Sequence, residues 1–295
     1  MKRVQSLGRK SLVILLIIFL VFSLIACDGS QKIDENSASE ATSTFRNNKN
    51  IDTESFTVLA DYEGIEESLD PDIQKRNLEI MAEKDDRANL FLDNFDQLSI
   101  GFRALVCNNP MAMGASIDIF YDQQDSDWWR FGSSIQTESP VTMYLQWDRR
   151  WANEAYGESI LAVNGCAPTC LAMIFDTLKI RPITPKSIIK HANPEDITAE
   201  GTTWDFVDRI GNQFGISSER IPYDYHVIIN QLNAGNYILA SVGPGEFTFG
   251  GHFIVIADYD ENGFIINDPY SYEHSIRHWS FEEITPVLEL WSFGK

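Results

Sequence analysis

Three short apolar runs, Tyr237 to Val242, His252 to Tyr259 and Gly263 to Asn267, are rich in β-branched and aromatic residues and follow one another closely. The last two are joined through Asp260-Glu261-Asn262-Gly263, a hairpin turn, so they predict adjacent antiparallel strands. Upstream the apolar period becomes helical. Leu171, Ile174, Phe175 and Leu178 recur at helical spacing after Pro168, which a helix tolerates in its first turn. Two further amphipathic helices are expected, one opening at Thr184-Pro185 and one carrying Trp204, Val207, Ile210 and Phe214 before Gly215. Helices first and antiparallel strands afterwards specify an α+β domain.

The chain has 295 residues, enough for one catalytic-size domain with extensions. With 44% apolar and 22% charged residues it is globular, and neither wholesale disorder nor a polytopic membrane protein fits. Lys and Arg number 23 against 43 Asp and Glu, a formal charge of -20. Such a surface repels phosphate backbones, so nucleic acid is not an expected partner.

Residues 1–26 hold Lys2, Arg3, Arg9 and Lys10 and no acid, then an unbroken apolar run from Leu12 to Phe22 and the sequence Ser23-Leu24-Ile25-Ala26-Cys27. This reads as an export signal, its apolar run shorter than the ~20 residues that span a bilayer as a helix. Leu24-Ile25-Ala26-Cys27 resembles the bacterial lipobox, which implies a lipid on Cys27 and a membrane anchor. An ordinary secretory signal containing a cysteine is the alternative. From Asp28 to Asn50 only Ile33 and Phe45 are large and apolar, so this stretch is expected to be a tether. From Pro71 to Leu98 the pattern is helical, with Asp70-Pro71 as N-cap and first residue and a break near Asp85-Asp86. Its apolar face is expected to pack on the domain that follows, or to occlude its groove. Gly101 to Pro140 carries no motif; Cys107, in an apolar run, reads as a buried thiol.

Chemistry concentrates after Val141. Cys166 follows Asn164-Gly165 at a helix start, where unpaired N–H groups and the helix dipole favour a thiolate. His252 opens a strand after Gly250-Gly251, and the hairpin returns Asp268 toward the same end, where a carboxylate would orient the imidazole. The Gln146 side chain is the candidate to join the Cys166 N–H in stabilising an oxyanion. Cys170 lies on the same helix face as Cys166, where packing is expected rather than a disulfide or a zinc pair. His191, His226, His274 and His278 lack ligand spacing and read as surface or packing residues, and no metal or cofactor is expected. Trp147, Trp151 and Trp204 are read as core residues, with a substrate groove as the alternative.

Gln146-Trp147-Asp148-x-Arg150-Trp151, Tyr156-Gly157, Asn164-Gly165-Cys166-x-Pro168-Thr169, the run from Gly243 to Phe253, and Asn267-Asp268-Pro269 together resemble the papain-like cysteine peptidases related to bacteriocin-processing, double-glycine leader peptidases. The resemblance covers about Val141 to Lys295. It implies a papain-like fold with Cys166 as nucleophile, His252 as base, Asp268 as orienting residue and Gln146 at the oxyanion site. Two departures stand out: Ala167 where Gly is usual, which could restrict the backbone, and Cys170 where a small residue is usual. No transporter or ATPase segment accompanies the motifs, so leader cleavage coupled to export is not implied. The expected organisation is a signal peptide over 1–26, a tether over 27–58, a helical extension over 59–140 and a papain-like peptidase domain over 141–295. Two functions fit it. One is a membrane-anchored extracytoplasmic peptidase or amide hydrolase acting on peptides or isopeptides through a thioester. The other is a silent papain-like module that binds peptide or cell-wall material.

Overall fold

Asp70 accepts hydrogen bonds from the backbone N–H groups of Asp72 and Ile73, and Pro71 occupies the first turn, so helix α1 (Pro71–Ala82) starts where its cap predicts. The computed structural model describes residues 62–123, 132–179, 182–198 and 201–295. The export segment, Cys27 and the tether lie outside them. Gln74, Asn77, Leu78 and Met81 form the buried stripe of α1. Helix α2 (Ala88–Asp93) follows the expected break. Two helices then occupy the stretch that carried no motif, α3 (Ile100–Asn108), capped by Ser99, and α4 (Met113–Phe120). In α3, Leu105, Val106, Cys107 and Asn108 are buried in succession. A helix enclosed on several sides loses the apolar stripe that periodicity detects.

A small hairpin, β1 (Ala155–Tyr156) and β2 (Ser159–Ile160), leads into the short helix α5 (Leu161–Asn164). Next comes α6 (Cys166–Leu178), almost wholly buried, then α7 (Pro185–Ile189). The pair β3 (Ile197–Thr198) and β4 (Gly201–Thr202) precedes α8 (Trp204–Phe214), capped by Thr203 and ended by Gly215 in the left-handed region at φ 63°. Strand β5 (Ser217–Ile221), helix α9 (Tyr225–Asn233) and strands β6 (Tyr237–Val242), β7 (His252–Asp260) and β8 (Gly263–Asn267) follow. The chain continues through α10 (Tyr272–Ser275), β9 (His278–Trp279) and β10 (Val287–Gly294).

Six strands form one antiparallel sheet in the order β5-β10-β6-β7-β8-β9. The three strands read from sequence are neighbours in it, and Asp260 pairs with Gly263 across the hairpin. Strand alternation divides the core. Leu239, Phe253, Val255, Ala257, Trp291 and Phe293 pack with α6 and the N-terminal helices. Ile238, Ala240, Val242, Ile254, Ile256 and Leu290 pack with Ile228 and Leu232 of α9. Leu78, Phe91 and Leu105 from the N-terminal helices belong to the first of these cores, and the described residues form one compact unit. At Gly101 a Cβ would stand 2.4 Å from Val163 Cγ1, so only glycine lets α3 approach α5 this closely.

Candidate active site

Cys166 is the first residue of α6, and the turn before it is tight: a Cβ on Gly165 would meet the Leu161 carbonyl oxygen at 2.3 Å. The first N–H groups of a helix have no intrahelical acceptor, so those of Cys166 and Ala167 are donors in place beside the sulfur. Pro168, with no N–H, loses nothing in this first turn. Ala167 is buried in the helix, and its φ is not among the positive values, which outside glycine occur only at Asp122 among the described residues. The departure from Gly therefore imposes no strain here; alanine is the residue that an α-helix accommodates best.

Cys166 is partly exposed and lies near enough to the imidazole of His252 to raise its pKa. His252 Nε2 bonds Asp268 Oδ1 at 2.8 Å, which leaves Nδ1 as the nitrogen for the sulfur. The strand register explains the meeting. Val255 pairs with Asn267, so Asp268, the next residue, comes back alongside the first residues of β7. Asp268 is fully buried and further held by the N–H groups of Tyr270 at 2.8 Å and Ser271 at 3.3 Å. Burial alone would lower the His252 pKa, but the Asp268 charge, the hydrogen bond to it and the contact with Cys166 raise it to about 10. Burial likewise opposes ionisation of Asp268; His252 and then His274 overcome it and hold the carboxyl below its ordinary range.

Gln146 is buried, and its Nε2 donates to the carbonyls of Ala162 at 2.9 Å and Val163 at 3.3 Å, in the segment just before the nucleophile. Its Oε1 is buried with no hydrogen-bond partner. The opposite amide orientation would set Oε1 against two carbonyl oxygens, so the observed one is electrostatically required. Tyr156, whose hydroxyl shares a 2.8 Å hydrogen bond with Thr202 Oγ1, is buried, and its pKa is raised by that burial and by Cys166. Cys170 is a fully buried free thiol that donates to the Phe253 carbonyl at 3.2 Å; burial, then Cys166 and Asp268, push its pKa up. Cys107 is buried too, and loss of hydration takes its pKa up to about 12. Trp147 and Trp151 are core residues, whereas Trp204 is 38% exposed. Gly250 and Gly251 are exposed, and beyond their chain neighbours no described atom comes within 4 Å of a Cβ added at either.

His274 is the group that sequence reasoning missed. Its Nδ1 bonds Asp268 Oδ2 at 2.8 Å, on the carboxylate's other side from His252. Ser271, three residues earlier, caps α10, and that Ser-x-x-His spacing after Asp268-Pro269 was the available signal. Glu67, in the segment before α1, is also near. It keeps solvent contact, yet loss of hydration raises its carboxyl pKa, with His274 opposing and Asp268 and Glu273 adding to the rise. No sequence feature marks Glu67. His191 and His226 lie at the surface as read.

A family model described as the Peptidase_C39 like family matches residues 138–291, just over half of the chain. Among solved structures, a C39-like peptidase from Bacillus anthracis is 14% identical, with a TM-score of 0.37, covering 45% of this chain and 89% of its own. The peptidase domain of Streptococcus ComA, a bifunctional ABC transporter involved in a quorum-sensing pathway, is 16% identical, with a TM-score of 0.37, covering 44% of this chain and 91% of its own. No curated protein matches.

Proposed function

We propose, for a chain that belongs to the Peptidase_C39 like family and carries a cysteine-peptidase domain, that it hydrolyses peptide or isopeptide bonds through a thioester on Cys166. The observation that carries this reading is a helix-start cysteine beside an imidazole that is bonded to a buried carboxylate. His252, its pKa raised to about 10 by Asp268 and Cys166, is the base that takes the thiol proton as the sulfur attacks. The sulfur attacks the substrate carbonyl, and the oxyanion faces the N–H groups at the start of α6. For Gln146 to join them, its Nε2 must leave the Val163 carbonyl, the longer of its two contacts at 3.3 Å. Collapse breaks the C–N bond as the imidazolium gives its proton to the leaving nitrogen. Neutral His252 then takes a proton from water, whose oxygen attacks the thioester. Release of the acid returns the proton from the imidazolium to the sulfur and restores the starting pair. Asp268 fixes the ring so that one nitrogen serves both transfers.

The anchor belongs to the same reading. The basic start, short apolar run and Ala26-Cys27 support cleavage before Cys27 and an acylated N-terminus, with the domain on the outer face of the cytoplasmic membrane. The substrate is then a peptide or protein reached from outside. The unstrained Ala167 removes the one sequence feature that favoured a silent binding module. Incubation with a proteome-derived peptide library and with isopeptide-linked peptides tests the activity: the expected result is new termini that disappear in Cys166→Ala. Cleavage unaffected by that substitution, or none with either library, rejects it. For the anchor, an unmodified Cys27 by mass spectrometry is the contrary result.

A further inference from the structure

We propose that His274 is a positioning residue for the Cys166–His252 pair, clamping the Asp268 carboxylate from the side opposite His252. The inference rests on the peptidase reading above. Asp268 Oδ1 already accepts from His252, Tyr270 N–H and Ser271 N–H, while Oδ2 accepts from His274 at 2.8 Å. Because Asp268 is fully buried, removing the His274 donor deprives an oxygen of its bond where water does not replace it. The carboxylate is then freer to turn, and the His252 ring turns with it.

The His274 ring is itself held. It lies edge-on to Phe247, with centroids 5.4 Å apart, and to Trp279 at 5.3 Å. Trp279 Nε1 donates to the His274 carbonyl at 2.9 Å, and the His274 N–H donates to Ser271 Oγ at 3.2 Å. The Ser275 hydroxyl accepts the Asp268 N–H at 2.9 Å, tying α10 to the end of β8. The charged groups facing His274 are Asp268, Glu67 from the segment before α1, and His252 from β7, with Glu273 beside it on α10. Burial alone would lower the His274 pKa; Asp268 and Glu67 outweigh it and raise it. Deprotonation does not break the clamp, because a neutral ring with its proton on Nδ1 still donates to Oδ2. Losing the ring removes both a donor and a cation beside Asp268, so the carboxyl becomes easier to protonate.

The test is the rate of iodoacetamide alkylation at Cys166 in the full chain across pH 4 to 9, followed by mass spectrometry, for wild type, His274→Phe and His274→Asn. Phenylalanine keeps a ring between Phe247 and Trp279; asparagine keeps an N–H near the place of Nδ1. The expected result is an acid limb about one pH unit higher in His274→Phe, a tenfold loss of rate on that limb, with most of it restored in His274→Asn. Circular dichroism confirms that each variant is folded; if His274→Phe does not fold, His274→Ala, which also removes the donor, takes its place in the same comparison. Profiles that coincide in all three proteins, or equal losses in both variants, overturn the positioning role. A wild-type rate indifferent to His252→Ala overturns the peptidase reading instead, and this inference with it.

Discussion

The N-terminal helices and the family-matched region contribute to one site in different currencies. Residues 138–291 hold Cys166, His252, Asp268, Gln146 and His274. The helices before them hold no nucleophile or base at the site, yet they support it from behind. Asn109 Nδ2 donates to the Tyr270 carbonyl at 2.9 Å, and the Tyr270 hydroxyl donates to the Ala104 carbonyl at 3.2 Å, bracing the loop that follows Asp268. Gly101 packs on Val163, three residues before the nucleophile. A family motif therefore marks where the chemistry is, and the scaffold that keeps it in register extends beyond the motif.

That division is broken most severely by Cys166→Ala. Peptide hydrolysis should vanish with the melting temperature unchanged, since alanine suits a helix start facing solvent in part. Next, Asp268→Ala should destabilise by about 3–5 kcal/mol, because two imidazoles and two backbone N–H groups lose a buried acceptor. Asp268→Asn should cost less in both melting temperature and turnover, as an amide still accepts one of these bonds. Gln146→Ala should slow acylation by about 10²-fold while leaving alkylation of Cys166 at the wild-type rate. If hydrolysis and alkylation fall together, the amide serves only to hold the Ala162 and Val163 carbonyls.

The helical side is probed by Gly101→Val, which should lower stability by about 1–3 kcal/mol through overpacking against Val163, read by urea unfolding. A neutral result would show that α3 and α5 yield to each other and that the two regions are loosely joined. Stability should also depend on pH. The raised His252 contributes fully below the ordinary histidine value of about 6.5, and its share is lost as pH rises toward about 10. The depressed Asp268 contributes above the ordinary value of about 3.9 and is lost as pH falls below it. Stability from this pair should therefore be greatest between those two ordinary values, and melting temperatures across pH 3 to 10 check it.

Elements with a local signature were legible: the Asp70-Pro71 cap, the Gly215 stop, the hairpin over Asp260 to Gly263 and the helix after Pro168. Strand β5 was not, because only Ile221 of its five residues is buried, as befits a sheet edge. Strand β10 runs between β5 and β6, far from it in sequence, and local pattern does not announce such a pairing. Helix α9, in a stretch expected to turn to strands, presents only Ile228 and Leu232 as buried residues. At the site, Cys166, His252 and Asp268 came from a helix start and a hairpin, both readable. His274 was legible only through the Ser271-x-x-His274 spacing after Asp268, and Glu67 not at all, because its influence on the site acts across a long stretch of sequence.

The most direct measurement of the central claim is the pH profile of iodoacetamide alkylation at Cys166 in the wild type and in His252→Ala. The account predicts rapid alkylation that persists through neutral pH in the wild type and is strongly suppressed there in His252→Ala, with both proteins folded. A wild-type profile that follows an ordinary thiol across pH 5 to 9, unchanged by removing the imidazole, would contradict it.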